Sequence, residues 1–203
     1  MKIFCIGRNY VDHAKELNNP VPTEPLIFMK PPTALVVNNK PFYYPPFTQD
    51  LHYEGEIVLR VCKNGRSVQP AFAHRYYDAI AFGIDFTARD LQERLKQKGH
   101  PWEIAKAFDH SAPVGPWIPL SELPNAQNIH FQLKKNGIVV QDGHTCDLIF
   151  PFEVLIVHLS RYFTLQKGDL IFTGTPAGVG PVSVGDVLEG LIEGRTVLTC
   201  AIK

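Results

Sequence analysis

The sequence predicts a single domain in which short strands outnumber short helices. Its 203 residues, 45% of them hydrophobic, suit one domain with a substantial core spanning residues 1–203. Apolar residues come mostly as short, strand-like runs bounded by turn signals. The 17 prolines cut the chain into fixed turns and leave little room for long helices.

Residues 3–6 form an apolar strand that ends at Gly7. Residues 10–17 suit a short helix that Asn9 can cap and Asn18-Asn19-Pro20 stops. On it His13 and Glu16 stand three apart, on one face. Such a pair is either an ordinary surface contact or an imidazole oriented and made more basic by a carboxylate. After a Pro-rich loop, Ile27-Phe28-Met29 is a short strand running into Lys30, which is an edge residue or a cation aimed at a site. Residues 33–47 continue as short β pieces, with a turn at Asn38-Asn39.

Leu51 to Arg60 reads as one amphipathic strand, with Leu51, Tyr53, Ile57 and Leu59 on one face and His52, Glu54 and Glu56 on the other. Two neighbouring carboxylates repel unless neutralised, and a hard divalent cation prefers oxygen ligands. The plain alternative is a solvated polar face. Lys63 to Arg66 reads as a hairpin turn, His74 to Ala79 as a helical turn, and Ala79 to Phe86 as a buried strand interrupted by Asp85. A buried carboxylate is costly unless it is paired or bound to metal. Its alternative is a cap for the helix Thr87 to Lys96, on which Arg89 and Gln92 share a face near the anion-favouring N-terminus.

Lys106 is bracketed by apolar residues, either snorkelling at an edge or placed as a cation. Asn136-Gly137 between two β runs signals a hairpin. Residues 152–163 form an amphipathic helix with Phe152, Leu155, Ile156 and Leu159 inward. The strand 170–172 runs into a glycine-rich loop, 173–181, that offers backbone N–H groups and the Thr175 hydroxyl to an anion. Two strands around Gly194 close the chain.

Lys+Arg and Asp+Glu are both 20, which gives no support for nucleic-acid or anionic-membrane binding. No apolar run is long enough for a membrane span, and the N-terminal one is too short for a signal peptide. Cys5, Cys62, Cys146 and Cys200 lie far apart with no Cys-x-x-Cys spacing. Cys5, Cys62 and Cys200 read as small buried hydrophobes, and a reducing, cytoplasmic setting is expected.

Five blocks, GRNYVDHAKE (7–16), LHYEGE (51–56), DFTARDLQ (85–92), KAFD (106–109) and TGTPAGVG (173–180), together resemble the fumarylacetoacetate hydrolase family. They are most similar to its short-chain acylpyruvate hydrolase branch. The resemblance implies an α+β fold, a β-rich roll of mixed sheets, usually assembled as a homodimer. It implies a metal triad of Glu54, Glu56 and Asp85 for Mg²⁺ or Mn²⁺. It implies a catalytic dyad, His13 and Glu16, on a lid within residues 1–20, and a charge-stabilising Lys106. Arg89, Gln92 and Thr175 are implied substrate contacts, with Arg8 and Lys30 beside them. The implied activity is metal-dependent hydrolysis of the C–C bond of acylpyruvate-type 2,4-diketo acids to pyruvate and a carboxylic acid, with oxaloacetate decarboxylation as a further activity. The same enolate chemistry without an attacking water gives an isomerase or tautomerase, of the oxaloacetate or 2-hydroxyhepta-2,4-diene-1,7-dioate type. A non-catalytic metabolite-binding protein is the remaining reading.

Overall fold

The computed structural model describes residues 1–16, 20–125 and 127–203. Among the described residues strands dominate and fall into four sheets. The largest has six strands, ordered Leu26–Lys30, Ile3–Gly7, Leu170–Phe172, Gly55–Val61, Tyr77–Ile84 and Ile118–Pro119. Ile3–Gly7 and Leu170–Phe172 run parallel while the other neighbours run antiparallel, so the sheet is mixed. A four-stranded antiparallel sheet is ordered Ile138–His144, His130–Lys135, Val187–Ile192 and Arg195–Ala201. Two small sheets join Gly180–Pro181, Leu51–Tyr53 and Thr87–Ala88, and Leu35–Val36 with Ala112–Pro113. This is the mixed-sheet α+β architecture that the resemblance implies.

The six-stranded sheet is buried on both faces, which explains its nearly unbroken apolar runs. Ile57, Leu59, Ile80 and Phe82 enter the principal core, while Val58, Ala81, Cys5 and Phe172 form a second core on the other face. The two large sheets meet where Phe82 packs edge-on against Phe131, with centroids 6.2 Å apart. Gly190 permits that approach, since a Cβ there would lie 2.3 Å from the Phe82 ring. Burial of one such ring stabilises by about 1.5–3 kcal/mol.

Among the described residues four α-helices, Val11–Glu16, Arg89–Lys98, Glu103–Lys106 and Phe152–Tyr162, pack around the sheets. Arg89–Lys98 ends at Gly99, which takes the left-handed φ of 64° that an L side chain resists. The Asn136-Gly137 hairpin forms with φ of 52° and 80°, as a two-residue turn of this kind demands. No helix among the described residues is long and apolar enough to cross a membrane.

Several local expectations are corrected. Leu51 to Arg60 is two strands in different sheets, Leu51–Tyr53 and Gly55–Val61, broken at Glu54. The Gly55 N–H there donates to Gln141 Oε1 at 2.8 Å. Lys63 to Arg66 does not close a tight hairpin, because Gly65 bridges to Leu165 and a 3₁₀ helix, Pro70–Arg75, intervenes before the partner strand starts at Tyr77. The strand Tyr77–Ile84 stops just short of Asp85. Asn9 is not a cap: its side chain donates to Thr173 O (2.8 Å) and Phe150 O (3.0 Å) and accepts from Phe150 N–H (2.8 Å). Cys62 is only half-buried. Ile3–Gly7 is a buried interior strand of the six-stranded sheet. The helix stop expected at Asn18-Asn19 lies outside the described residues.

Candidate active site

Strand register builds the centre. Glu56 pairs with Gly83 and Gly55 with Ile84, so the next rung sets Asp85 opposite Glu54. The Asp85 N–H donates to the Glu54 carbonyl at 2.8 Å. Opposed residues point to the same face of a sheet. There the carboxylates of Glu54, Glu56 and Asp85 converge, with one oxygen of each within 4.8 Å of the others. All three side chains are buried.

Three cations face them. Lys106 Nζ donates to Glu54 Oε2 and Asp85 Oδ2, each at 2.7 Å. Arg89 Nη2 donates to Glu54 Oε1 at 2.6 Å, and Arg89 Nη1 to Gln92 Oε1 at 2.8 Å. Lys30 is held by Ser111 Oγ at 2.8 Å and by the carbonyls of Phe86, Lys106 and Ser111. Its ammonium also sits 2.8 Å from Asp85 Oδ1, at an angle that makes no hydrogen bond.

Burial opposes the charge of Glu54, but Lys106 and Arg89 outweigh it and hold that carboxyl well below its usual range. Glu56 is pushed the other way, by burial and then by the charges of Asp85 and Glu54, and the Gly174 N–H at 2.7 Å offsets only part of this. Burial works against the Lys106 ammonium, yet Asp85 and Glu54 keep its pKa raised. Crowded oxygen donors, a buried Glu56 whose pKa is raised by burial and by its carboxylate neighbours, and an Asp85 oxygen without a hydrogen bond fit a hard divalent cation such as Mg²⁺ or Mn²⁺.

The Val11–Glu16 helix brings His13 to the same cavity. Burial lowers the His13 pKa, so its ring is neutral near pH 7 and available as a base. Its Nδ1 lies 3.4 Å from Glu16 Oε2. Arg8, Glu54, Glu56, Asp85, Arg89, Gln92, Lys106 and Thr175 share the lining with His13, whereas Glu16 and Lys30 stand behind it. The glycine-rich loop spends two of its N–H groups on the protein's own anions: Gly174 on Glu56, and Gly178 on both oxygens of Glu16, at 3.0 and 3.2 Å. The Thr175 hydroxyl donates to Gly55 O at 2.9 Å and accepts from Gln141 Nε2 at 2.8 Å.

Sequence reasoning missed Phe28, Lys96 and Trp102 in the lining, and Gln141 behind it. Lys96 had a signal, since Arg89, Gln92 and Lys96 recur at helical spacing on one face. Gln141 had none, because its partners, Gly55, Thr175 and Pro176, are remote in sequence.

Comparison with known proteins points the same way. A family model described as fumarylacetoacetate (FAA) hydrolase C-terminal matches residues 2–203. The chain is 41% identical over 192 residues to the mitochondrial oxaloacetate tautomerase FAHD1 of Bos taurus, covering 95% of this chain and 87% of that protein. It is 38% identical over 199 residues to the oxaloacetate tautomerase YcgM of Escherichia coli (strain K12), covering 98% and 91%. A crystal structure of fumarylpyruvate hydrolase from Pseudomonas aeruginosa, in complex with Mn²⁺ and pyruvate, superposes with a TM-score of 0.94 at 38% identity, covering 100% of this chain and 89% of that one.

Proposed function

The chain belongs to the fumarylacetoacetate hydrolase family, and from that premise we propose that it is a metal-dependent enzyme forming the enolate of a short 2-oxo acid. Keto–enol exchange of oxaloacetate is its principal reaction. One observation carries this reading: a buried imidazole and a three-carboxylate centre line the same cavity.

Arg89, steadied by Gln92, binds the substrate carboxylate, with Arg8 and the Thr175 region completing the rim. His13 takes the proton from the carbon beside the keto group, and Glu16 stabilises the imidazolium that results. Lys106 sets positive charge beside the oxygen that becomes anionic. Mg²⁺ or Mn²⁺, held by Glu54, Glu56 and Asp85, supplies Lewis-acid stabilisation of the enolate when bound. Return of the proton to oxygen gives the enol, and reversal gives the ketone. The Val11–Glu16 helix acts as the closing element, latched by Glu16 on Gly178. Homodimeric assembly and a reducing compartment belong to the same reading, and the four free cysteines fit the latter.

Hydrolysis of an acylpyruvate is the second reading, favoured by the similarity to the fumarylpyruvate hydrolase bound to pyruvate. There His13 takes its proton from a water that attacks the distal carbonyl. Enol-to-ketone conversion of oxaloacetate, followed by ultraviolet absorbance with Mn²⁺ or Mg²⁺, decides between them. Wild type accelerates the exchange, and His13→Ala slows it by about 10²–10⁴-fold while Mn²⁺ affinity is unchanged. An enzyme that leaves the exchange rate untouched but releases pyruvate from acetylpyruvate transfers the assignment to hydrolysis.

A further inference from the structure

The outward face of the four-stranded sheet carries a second cluster, separate from the cavity. His130 and His144 stand directly opposite each other on neighbouring antiparallel strands. Their rings are stacked, with centroids 4.6 Å apart and planes 22° from parallel. Asp142 precedes His144 by two residues and so shares its face. A ring nitrogen of each histidine and an oxygen of Asp142 all lie within 4.8 Å of one another.

These groups are oriented from behind. Asn128 Oδ1 lies 3.2 Å from His144 Nδ1. An amide oxygen only accepts, so Nδ1 carries the proton and Nε2 keeps its lone pair. Gln132 Nε2 donates to Asp142 Oδ2 at 2.6 Å, which leaves Oδ1 as the outward oxygen, 2.8 Å from His130 Nε2. The backbone N–H of His130 is pinned by Glu193 Oε1 at 2.8 Å. The His130 and Asp142 side chains are 33% and 54% exposed, so an ion reaches them from solvent.

We propose that His130, Asp142 and His144 form a second metal site that takes one borderline divalent cation, of the Zn²⁺ class. Two imidazoles and a carboxylate select that class over Mg²⁺, whereas the all-oxygen centre of Glu54, Glu56 and Asp85 suits harder ions. One chain thus separates two metals by donor chemistry. Ligand arms of about 2.1 Å place tetrahedral donors roughly 3.4 Å apart. Small side-chain rotations at this exposed face bring the three groups to that spacing. Three protein ligands leave a position open for water or a small anion. The bonds from Asn128 and Gln132 supply the outer-shell support that fixes tautomer and orientation in such sites.

The test is calorimetric titration of Zn²⁺ into the full chain with the carboxylate centre saturated by Mn²⁺. One Zn²⁺ per chain is expected in wild type and equally in Glu56→Gln. Affinity falls at least tenfold in His130→Ala and in His144→Ala. It falls about 10–100-fold in Asn128→Leu, where every ligand remains but the tautomer is no longer held. Unchanged thermal unfolding without Zn²⁺ shows that each variant is folded. The proposal is overturned by absence of Zn²⁺ binding in wild type, by unaltered binding in both histidine variants, or by loss of the binding with Glu56→Gln.

Discussion

His13 is suited to the proposed role of base by where it sits more than by what it is next to. Burial favours the neutral ring, and the charges of Glu54 and Glu16 recover only part of the shift. In the proposed mechanism the active ring must be unprotonated, so the acid limb of kcat/KM is expected below the ordinary histidine value. Glu16 raises the pKa of that ring through its hydrogen bond and charge. Glu16→Gln is expected to move the limb to lower pH and to lower the plateau. A pH–rate profile checks this, and a limb that stays in place or moves upward removes Glu16 from the dyad. Asn9 teaches a related lesson. Before a helix it reads as a cap, yet its amide is drawn to carbonyls on two remote segments because those groups are buried and need a partner.

At the scale of elements, the break at Glu54 lets one stretch serve two sheets. Leu51–Tyr53 and Gly55–Val61 pair with different neighbours, and Gln141 takes up the N–H at the junction. The glycine-rich loop is equally constrained. Gly178 has φ of 99°, and a Cβ there would lie 2.1 Å from the Val140 carbonyl oxygen. Gly178→Ala is expected to shift the loop, withdraw the N–H from Glu16, and cost about 1–3 kcal/mol. Denaturant unfolding measures the cost. Metal titration should show Mn²⁺ affinity unchanged while kcat falls, because the loop's bond to the centre comes from Gly174. Equal losses in both would mean that the loop acts as one unit.

Over the whole molecule the centre is formally balanced, with Glu54, Glu56 and Asp85 set against Lys30, Lys106 and Arg89. A divalent cation added to that set would leave positive charge in excess, which would complement the anionic 2-oxo acid of the proposed reaction. Lys30→Met tests the balance. Removal of one member of a buried pair costs about 3–5 kcal/mol, and that full cost is expected in chelated protein. Saturating Mn²⁺ should recover much of it, since the ion replaces the missing positive charge and binds only the folded state. Thermal unfolding with EDTA and with Mn²⁺ gives the comparison. Equal destabilisation in both would show that Lys30 supports packing rather than charge.

The residues alone determined the strand-rich character, the hairpin at Asn136-Gly137 and the helix at residues 152–163. These are local properties, written in periodicity and turn chemistry. The family blocks supplied the rest of the candidate set. Tertiary structure decided what periodicity cannot encode. Register brought Asp85 opposite Glu54. Parallel pairing with Leu170–Phe172 turned Ile3–Gly7 into an interior strand. Folding placed the N–H groups of the glycine-rich loop on Glu16 and Glu56. The physical reason is common to all three: buried charges and backbone groups take whichever partner the fold brings within reach, and those partners lie far away along the chain.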